Sequence, residues 1–245
     1  MKYEKQKVEL EQSGYAITNE IFSAEEVRAI INCIEEFEGN SANSEVDSFI
    51  RTKDLFAIRQ LLNHCPALSS LIFNARMKAL IKELASEEFS VCKAIYFDKP
   101  KASNWFVSYH QDLSVSVTKK AEIEGYKNWT FKRGQFGVEP PTNILDNIIT
   151  LRIHLDDTDE NNGALKVIPN SHLNGVYKLD LIRDKIEDEQ ICRVKKGEVM
   201  LMKPLTFHAS NRTINDQQRK VIHLEISNQN LQNPIDWKER KSIPF

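Results

Sequence analysis

Tyr109-His110-Gln111-Asp112 and, far downstream, His208 are the residues of this chain best suited to hold an ion. Successive residues of an extended segment alternate in direction, so an H-x-D triplet points its imidazole and its carboxylate to the same side. One ion can then meet both. His208, arriving from a distant strand, completes a set of two histidines and one carboxylate. Such a set covers one face of an octahedron and leaves the other open, the ligand arrangement of mononuclear non-haem Fe(II) oxygenases. H-x-D alone is not specific, and the residues after His208 add the weight. Asn211-Arg212-Thr213-Ile214-Asn215-Asp216 is polar and turn-forming, and Lys220-Val221-Ile222-His223-Leu224-Glu225-Ile226 is an apolar-rich run. This pattern predicts that His208 and Arg219 lie on successive antiparallel strands of a hairpin. Arg219 then returns beside the ion, where a guanidinium can grip a carboxylate by a two-pronged hydrogen bond.

The elements that must position these groups can be read in order. Gly14-Tyr15-Ala16-Ile17 reads as a first strand. Ser23 and Glu26 form a capping box ahead of Val27, Ile30, Ile31, Ile34 and Phe37 at helical spacing, with Gly39 as a stop. Residues 40–53 read as a polar loop, 55–62 as a short helix, and 66–85 as a helix whose stripe of Leu68, Leu71, Ile72, Ala75, Leu80 and Leu84 is core packing. Val91 to Phe97 is β-prone, Asp98-Lys99-Pro100 a turn, and Trp105 to Tyr109 the strand that delivers the H-x-D. Residues 117–146 carry little strand or helix period. Long irregular insertions tend to be functional, so this one reads as a lid over the open face of the ion; a packing loop pinned by Trp129 is the other reading. The strand 148–155 alternates Ile149, Leu151, Ile153 and Leu155 with Thr150, Arg152 and His154, whose polar side faces either solvent or a cavity. Residues 178–189 are a charged excursion, and 228–245 suggest nothing specific.

Composition narrows the classes. At 245 residues one domain is the expectation, and 33 basic against 35 acidic residues leave no surplus for nucleic acid. No apolar run is long enough to span a bilayer. The charged start of the chain lacks the apolar centre of a secretory signal. Cys33, Cys65, Cys92 and Cys192 are scattered without a C-x-x-C pair, so they read as free thiols of a cytoplasmic protein.

His110-Gln111-Asp112, Leu155-Asp156-Asp157 running into Asn162-Gly163-Ala164-Leu165, Ile168-Pro169-Asn170-Ser171-His172, His208 and Arg219 together resemble the phytanoyl-CoA dioxygenase family, in the same order from about Gly14 to about Glu225. The resemblance implies a mainly β fold with flanking α: a double-stranded β-helix, or jelly roll, over about 89–228, with N-terminal helices (about 20–88) packed outside the sheet. It also implies Fe(II) on His110, Asp112 and His208, with 2-oxoglutarate chelating the ion and O₂ as the oxidant. Arg219, assisted by Ser210, would pair with the far carboxylate of the 2-oxoglutarate. In the resemblance Arg152 lines that pocket, with His154 on the same side. Lys99 is either a further contact to the co-substrate or a solvated turn lysine. Gln111, His154, Trp129 and Arg133 are candidate substrate contacts. The activity implied is hydroxylation with release of succinate and CO₂, Asp112 occupying the place where related halogenases leave room for chloride. Arg152, His154, Lys132 and Arg133 favour a small polar or anionic substrate. The alternative is a non-catalytic, or 2-oxoglutarate-independent, metal-binding jelly-roll protein. Asn170 departs from the glycine common at its position, but asparagine tolerates a positive φ. The sequence sets no oligomeric state.

Overall fold

The computed structural model describes residues 2–40, 49–52, 56–101, 103, 105–177 and 186–245. Its architecture follows from the strand Ile148–His154, in which every residue is buried. Ile149, Leu151 and Ile153 enter the main hydrophobic core, and by alternation Thr150, Arg152 and His154 face the other way. A strand covered on both sides needs a layer on each.

One layer is helical. Ala24–Asn40 and Ala75–Leu84 contribute Val27, Ile30, Ile34, Met77, Leu80 and Ile81 to the core that also holds Leu151, Leu201, Ile222 and Leu224. Each fully buried aliphatic side chain contributes about 1.5–3 kcal/mol, against helix-propensity differences of under about 1 kcal/mol per residue. Packing therefore decides where these helices lie. The capping box forms as expected: Ser23 N–H donates to Glu26 Oε2 at 2.7 Å and Glu26 N–H to Ser23 Oγ at 3.3 Å.

The other layer is a second sheet. The larger, eight-stranded sheet runs Tyr15–Thr18, Val199–Met202, Ile148–His154, Arg219–Ser227, Ser90–Lys99, Phe56–Arg59, Phe49–Arg51, with Lys241–Ser242 also paired to Ser90–Lys99. The four-stranded sheet runs Gln190–Ile191, Leu165–Val167, His208–Ser210, Val107–His110. All these pairings are antiparallel. The fold is the jelly roll with outer helices anticipated from the resemblance. Among the described residues no helix is long and apolar enough to cross a membrane.

Several local expectations are corrected. A helix at Glu4–Ser13 was not legible, because only Leu10 along it is buried; Gly14 ends it at φ 82°. Residues 55–62 are not one helix but the strand Phe56–Arg59 followed by Leu61–His64. The helix expected over 66–85 is broken into Leu68–Ile72 and Ala75–Leu84, because Asn74 turns extended and caps the second by accepting from Met77 N–H at 2.9 Å. Within the expected loop 40–53, Phe49–Arg51 is a strand, while 41–48 and 53 lie outside the described residues. Most of 178–189 also lies outside them.

The stretch 117–146 is not irregular. Lys127–Lys132 and Gln135–Glu139 form a hairpin that pairs with Val115–Val117 as a third sheet, followed by a short helix at Thr142–Asp146. Its turn is Arg133-Gly134, both at positive φ (52° and 68°), the geometry of a two-residue hairpin turn matched to strand twist. The hairpin escaped notice because Lys127–Lys132 is mostly exposed and a register shift between Lys127 and Thr130 destroys the alternation a half-buried strand would display. Trp237, in the tail that suggested nothing, bridges to Val117 and donates from its indole to Gln229 O at 2.9 Å.

Candidate active site

The H-x-D strand Val107–His110 lies beside His208–Ser210, with His110 directly opposite His208. The ring centroids are 4.2 Å apart. Asp112 reaches between the imidazoles: its Oδ1 is 3.6 Å from His110 Nε2 and its Oδ2 3.7 Å from His208 Nε2. Ligand atoms of the three all lie within 4.8 Å of one another. The remaining ring nitrogens face backbone carbonyls, His110 Nδ1 that of Ser108 at 2.9 Å and His208 Nδ1 that of Thr206 at 3.0 Å. A nitrogen against a carbonyl must carry the hydrogen, so both Nε2 lone pairs are left for an ion. Burial pushes the Asp112 carboxyl up, but His208, His110, His223 and Lys93 together outweigh it and hold it well below the usual carboxylate range. Burial lowers His208 to about 4. A carboxylate and a neutral imidazole are the forms a divalent cation needs.

Arg219 does not arrive by the expected hairpin. His208–Ser210 belongs to the four-stranded sheet and Arg219–Ser227 to the larger one, so the connection crosses the sandwich. Backbone bonds pin it on the way, Thr213 N–H to Ser103 O at 3.0 Å and Ile214 N–H to Asn161 O at 2.7 Å. Arg219 nevertheless lines the same cavity of about 520 Å³ as His110, Asp112, His208, Ser210 and Arg152. It is 7% exposed, donates from Nη1 to Gly163 O, and its Nε is buried without a partner, as is that of Arg152. Neither guanidinium forms an ion pair among the described residues. Burial, reinforced by Arg152, lowers Arg219 to about 9; burial lowers Arg152 to about 10. Two buried guanidiniums without a protein carboxylate fit a dianionic ligand with an end in this cavity.

The other expected site residues divide. Arg133 lines the cavity, as do Thr130, Lys132 and Phe136 of the same hairpin. Lys99 is neither solvated nor in a turn: it ends the strand Ser90–Lys99, is 0% exposed, and donates to Asn211 O at 2.6 Å behind Arg219, its register partner. Burial and the Arg219 charge lower it to about 7. His154 is buried but off the cavity lining, its Nδ1 2.8 Å from Thr158 Oγ1; burial and then Arg152 hold it well below its ordinary value. Gln111 points away from the ion, as alternation requires, donating to Gly175 O at 2.8 Å and Leu205 O at 2.7 Å. Trp129 also faces away from the cavity and packs on the core around Val115, Val138 and Trp237.

Sequence reading missed a chain of buried polar groups on the cavity floor. Arg152 Nη1 donates to His223 Nδ1 at 3.2 Å, so His223 Nε2 carries a hydrogen and donates to Glu225 Oε1, also at 3.2 Å. The same Oε1 accepts from Lys93 Nζ at 2.6 Å. The signal was the alternation Arg219, Val221, His223, Glu225 along one strand face. Asp112, His223 and Glu225 also bring ligand atoms within 4.8 Å of one another. With an ammonium already on Glu225 and a guanidinium on His223, this second cluster is a hydrogen-bonded network, not a second ion site.

A jelly roll that brings two histidines and a carboxylate to one side of its cavity offers an ion three ligands on one face. The chain belongs to the phytanoyl-CoA dioxygenase (PhyH) family, whose model matches residues 10–221. A probable alpha-ketoglutarate-dependent hypophosphite dioxygenase from Stutzerimonas stutzeri is 28% identical over 184 residues, 71% of this chain and 55% of the relative, so the matched part spans about half of that protein. Among solved structures, EctD from S. alaskensis with bound Fe superposes with a TM-score of 0.72 at 19% identity, covering 94% of this chain and 79% of that one. HygX from Streptomyces hygroscopicus with nickel, 2-oxoglutarate and hygromycin B bound gives 0.64 at 13%, covering 91% and 86%. At such identities the two structures speak for the fold.

Proposed function

We propose that this chain is an Fe(II)- and 2-oxoglutarate-dependent dioxygenase that hydroxylates a small polar or anionic molecule. The substrate's C–H becomes C–OH while O₂ and 2-oxoglutarate are consumed and succinate and CO₂ released. The observation that carries the reading is the convergence of His110, Asp112 and His208 in one cavity with two guanidiniums that form no ion pair among the described residues. Fe(II), held by those three side chains, would supply the activation of O₂. The protein's part is geometric and electrostatic. Ser108 O and Thr206 O hold the imidazoles with Nε2 forward. Arg219, with Ser210 beside it in the lining, would take the far carboxylate of 2-oxoglutarate, and Arg152 supports the same negative charge. Asp112 fills the position that a halogenase leaves to chloride, which favours hydroxylation. The hairpin around Arg133 closes one side of the cavity and would act as its lid. Two buried guanidiniums, each costly to desolvate without a partner, support an anionic ligand in this cavity.

The test is independent of substrate. Anaerobic addition of Fe(II) and 2-oxoglutarate to the purified protein should give a weak visible charge-transfer band, and His208→Ala should lose both the band and succinate formation. Absence of the band from the unsubstituted protein, or succinate production retained by His208→Ala, refutes the proposal.

A further inference from the structure

Two of the four cysteines meet, far from the cavity chemistry. Cys33 Sγ and Cys65 Sγ are 3.3 Å apart, and Cys65 Sγ is also 3.8 Å from Cys33 O. They stand 32 positions apart in sequence and come from different elements. Cys33 belongs to the helix Ala24–Asn40, between the buried Ile30 and Ile34, and Cys65 is the residue that ends Leu61–His64. The backbone of Cys65 is pinned: its N–H donates to Leu61 O at 2.8 Å and its carbonyl accepts from Leu68 N–H at 3.1 Å. A disulfide holds its sulfurs about 2.05 Å apart, so these two need close by only about 1.3 Å, a step that side-chain rotation supplies. Exposure divides their roles. Cys65 is 6% exposed, while Cys33 is half-buried and open to a small oxidant. Burial, then the neighbouring sulfur, pushes the Cys65 thiol up to about 12, so it stays a thiol at neutral pH and the first attack falls to Cys33. Cys92 and Cys192 are buried in other clusters, and among the described residues no other pair of cysteine sulfurs meets.

We propose that Cys33 and Cys65 are an oxidisable pair that hydrogen peroxide, or a small organic hydroperoxide, converts to a disulfide stapling the helix Ala24–Asn40 to the edge of the large sheet. The Cys33 sulfur attacks one peroxide oxygen, the O–O bond breaks, and Cys33 becomes a sulfenic acid as the other oxygen leaves as water or alcohol. The Cys65 sulfur then attacks the Cys33 sulfur and displaces the sulfenic oxygen, which takes up the thiol hydrogen and leaves as water. Both sulfurs are oxidised by one electron each and the peroxide is reduced by two. The ring so closed contains the last two strands of the sheet, Phe49–Arg51 and Phe56–Arg59, and closing it restricts the unfolded chain more than the folded one. Phe56–Arg59 pairs with Ser90–Lys99, whose Lys93, Ile95 and Phe97 line the cavity, so the staple secures the sheet next to that wall. The pair stands apart from the proposed function and does not depend on it.

The test uses the full chain, reduced, freed of reductant and kept with a chelator so that stray iron contributes no radical chemistry. A small molar excess of hydrogen peroxide is added, remaining thiols are alkylated under denaturing conditions, and the peptides are mapped by mass. The expected product is a peptide pair joined through Cys33 and Cys65, lighter by two hydrogens than the two thiol peptides, with Cys92 and Cys192 alkylated. The Tm should rise by about 5 °C or more and fall back on adding dithiothreitol. Cys65→Ser should stop at the sulfenic acid of Cys33, captured by dimedone, and Cys33→Ser should leave Cys65 a thiol; neither variant should show the rise. Cys33 and Cys65 both still alkylated after peroxide would mean apolar packing only and overturn the proposal. A disulfide that engages Cys92 or Cys192 instead, or a joined pair with unchanged Tm, overturns it as well. The peptide map of the parent decides the matter even where a serine variant fails to melt cooperatively.

Discussion

Arg219→Met should weaken 2-oxoglutarate binding and, in the absence of 2-oxoglutarate, make the protein more stable. The two effects share one cause. Burial, reinforced by Arg152, holds the guanidinium at about 9, against its ordinary 12.5, and at about 1.4 kcal/mol per tenfold change in proton affinity that depression corresponds to a penalty on the order of 5 kcal/mol. With the side chain 7% exposed, solvent screening reduces this little. Methionine fills similar volume without the charge, but leaves Gly163 O without its donor, a loss of about 1–3 kcal/mol. The difference is a net gain of about 2–4 kcal/mol, or a rise in Tm on the order of 10 °C for a chain of this size. Binding moves the other way. Truncating one partner of a buried charge pair costs about 2–5 kcal/mol, so the dissociation constant for 2-oxoglutarate should rise by about 30-fold or more. Thermal melts of the metal-free protein and titration of the Fe(II) charge-transfer band read the two quantities separately. A variant that binds 2-oxoglutarate within threefold of the parent, or one that loses stability without ligand, refutes the assignment of Arg219 as an unpaired cation awaiting a carboxylate.

Lys99 lies behind Arg219 and is lowered to about 7 by burial and by that guanidinium, so near pH 7.5 it is largely neutral. A dianion bound at Arg219 raises it again, and 2-oxoglutarate binding at that pH should draw in a fraction of a proton. Calorimetry in buffers of different ionisation enthalpy measures this, and heats independent of buffer, or unchanged in Lys99→Met, count against it. The same depression has a sign for stability. Between about pH 7 and the ordinary lysine range the unfolded chain binds more protons, so the Lys99 contribution to stability rises with pH there. Lys93→Met should cost about 3–5 kcal/mol near neutral pH, because it strands the Glu225 carboxylate in the cavity floor. Burial raises Glu225, but Lys93 and His223 hold it below its ordinary value, so the cost should shrink as acid neutralises it in the variant. A melt showing a pH-independent loss of under about 0.5 kcal/mol would falsify the pairing.

The jelly roll was legible through the family resemblance, and the meeting of His110 with Asp112 through a short-range rule. Alternation placed His110 and Asp112 together, and the Ser23–Glu26 box marked a helix start that the structure repeats in both hydrogen bonds. Alternation also turns Gln111 away from the ion, where it bonds to Gly175 O and Leu205 O. What failed depended on partners distant in sequence. The segment after His208 looks like a hairpin turn, yet it crosses between sheets because each flanking strand finds its neighbours elsewhere. Lys99 looked like a solvated turn residue, and only its pairing opposite Arg219 reveals it as buried. Trp129 sits on an exposed, register-shifted strand, so no period announced which way it faced.

His208 faces His110 across a hydrogen-bonded ladder, so the gap between the imidazoles is set by the spacing of neighbouring strands, about 5 Å, and owes nothing to the length of chain joining them. The intervening loops and the hairpin above the cavity can therefore lengthen, shorten or change composition without moving the two imidazoles. A slip of one residue in that ladder would turn an imidazole to the far face. Change in what the cavity admits is cheap in such an arrangement, and change in how the imidazoles meet is not.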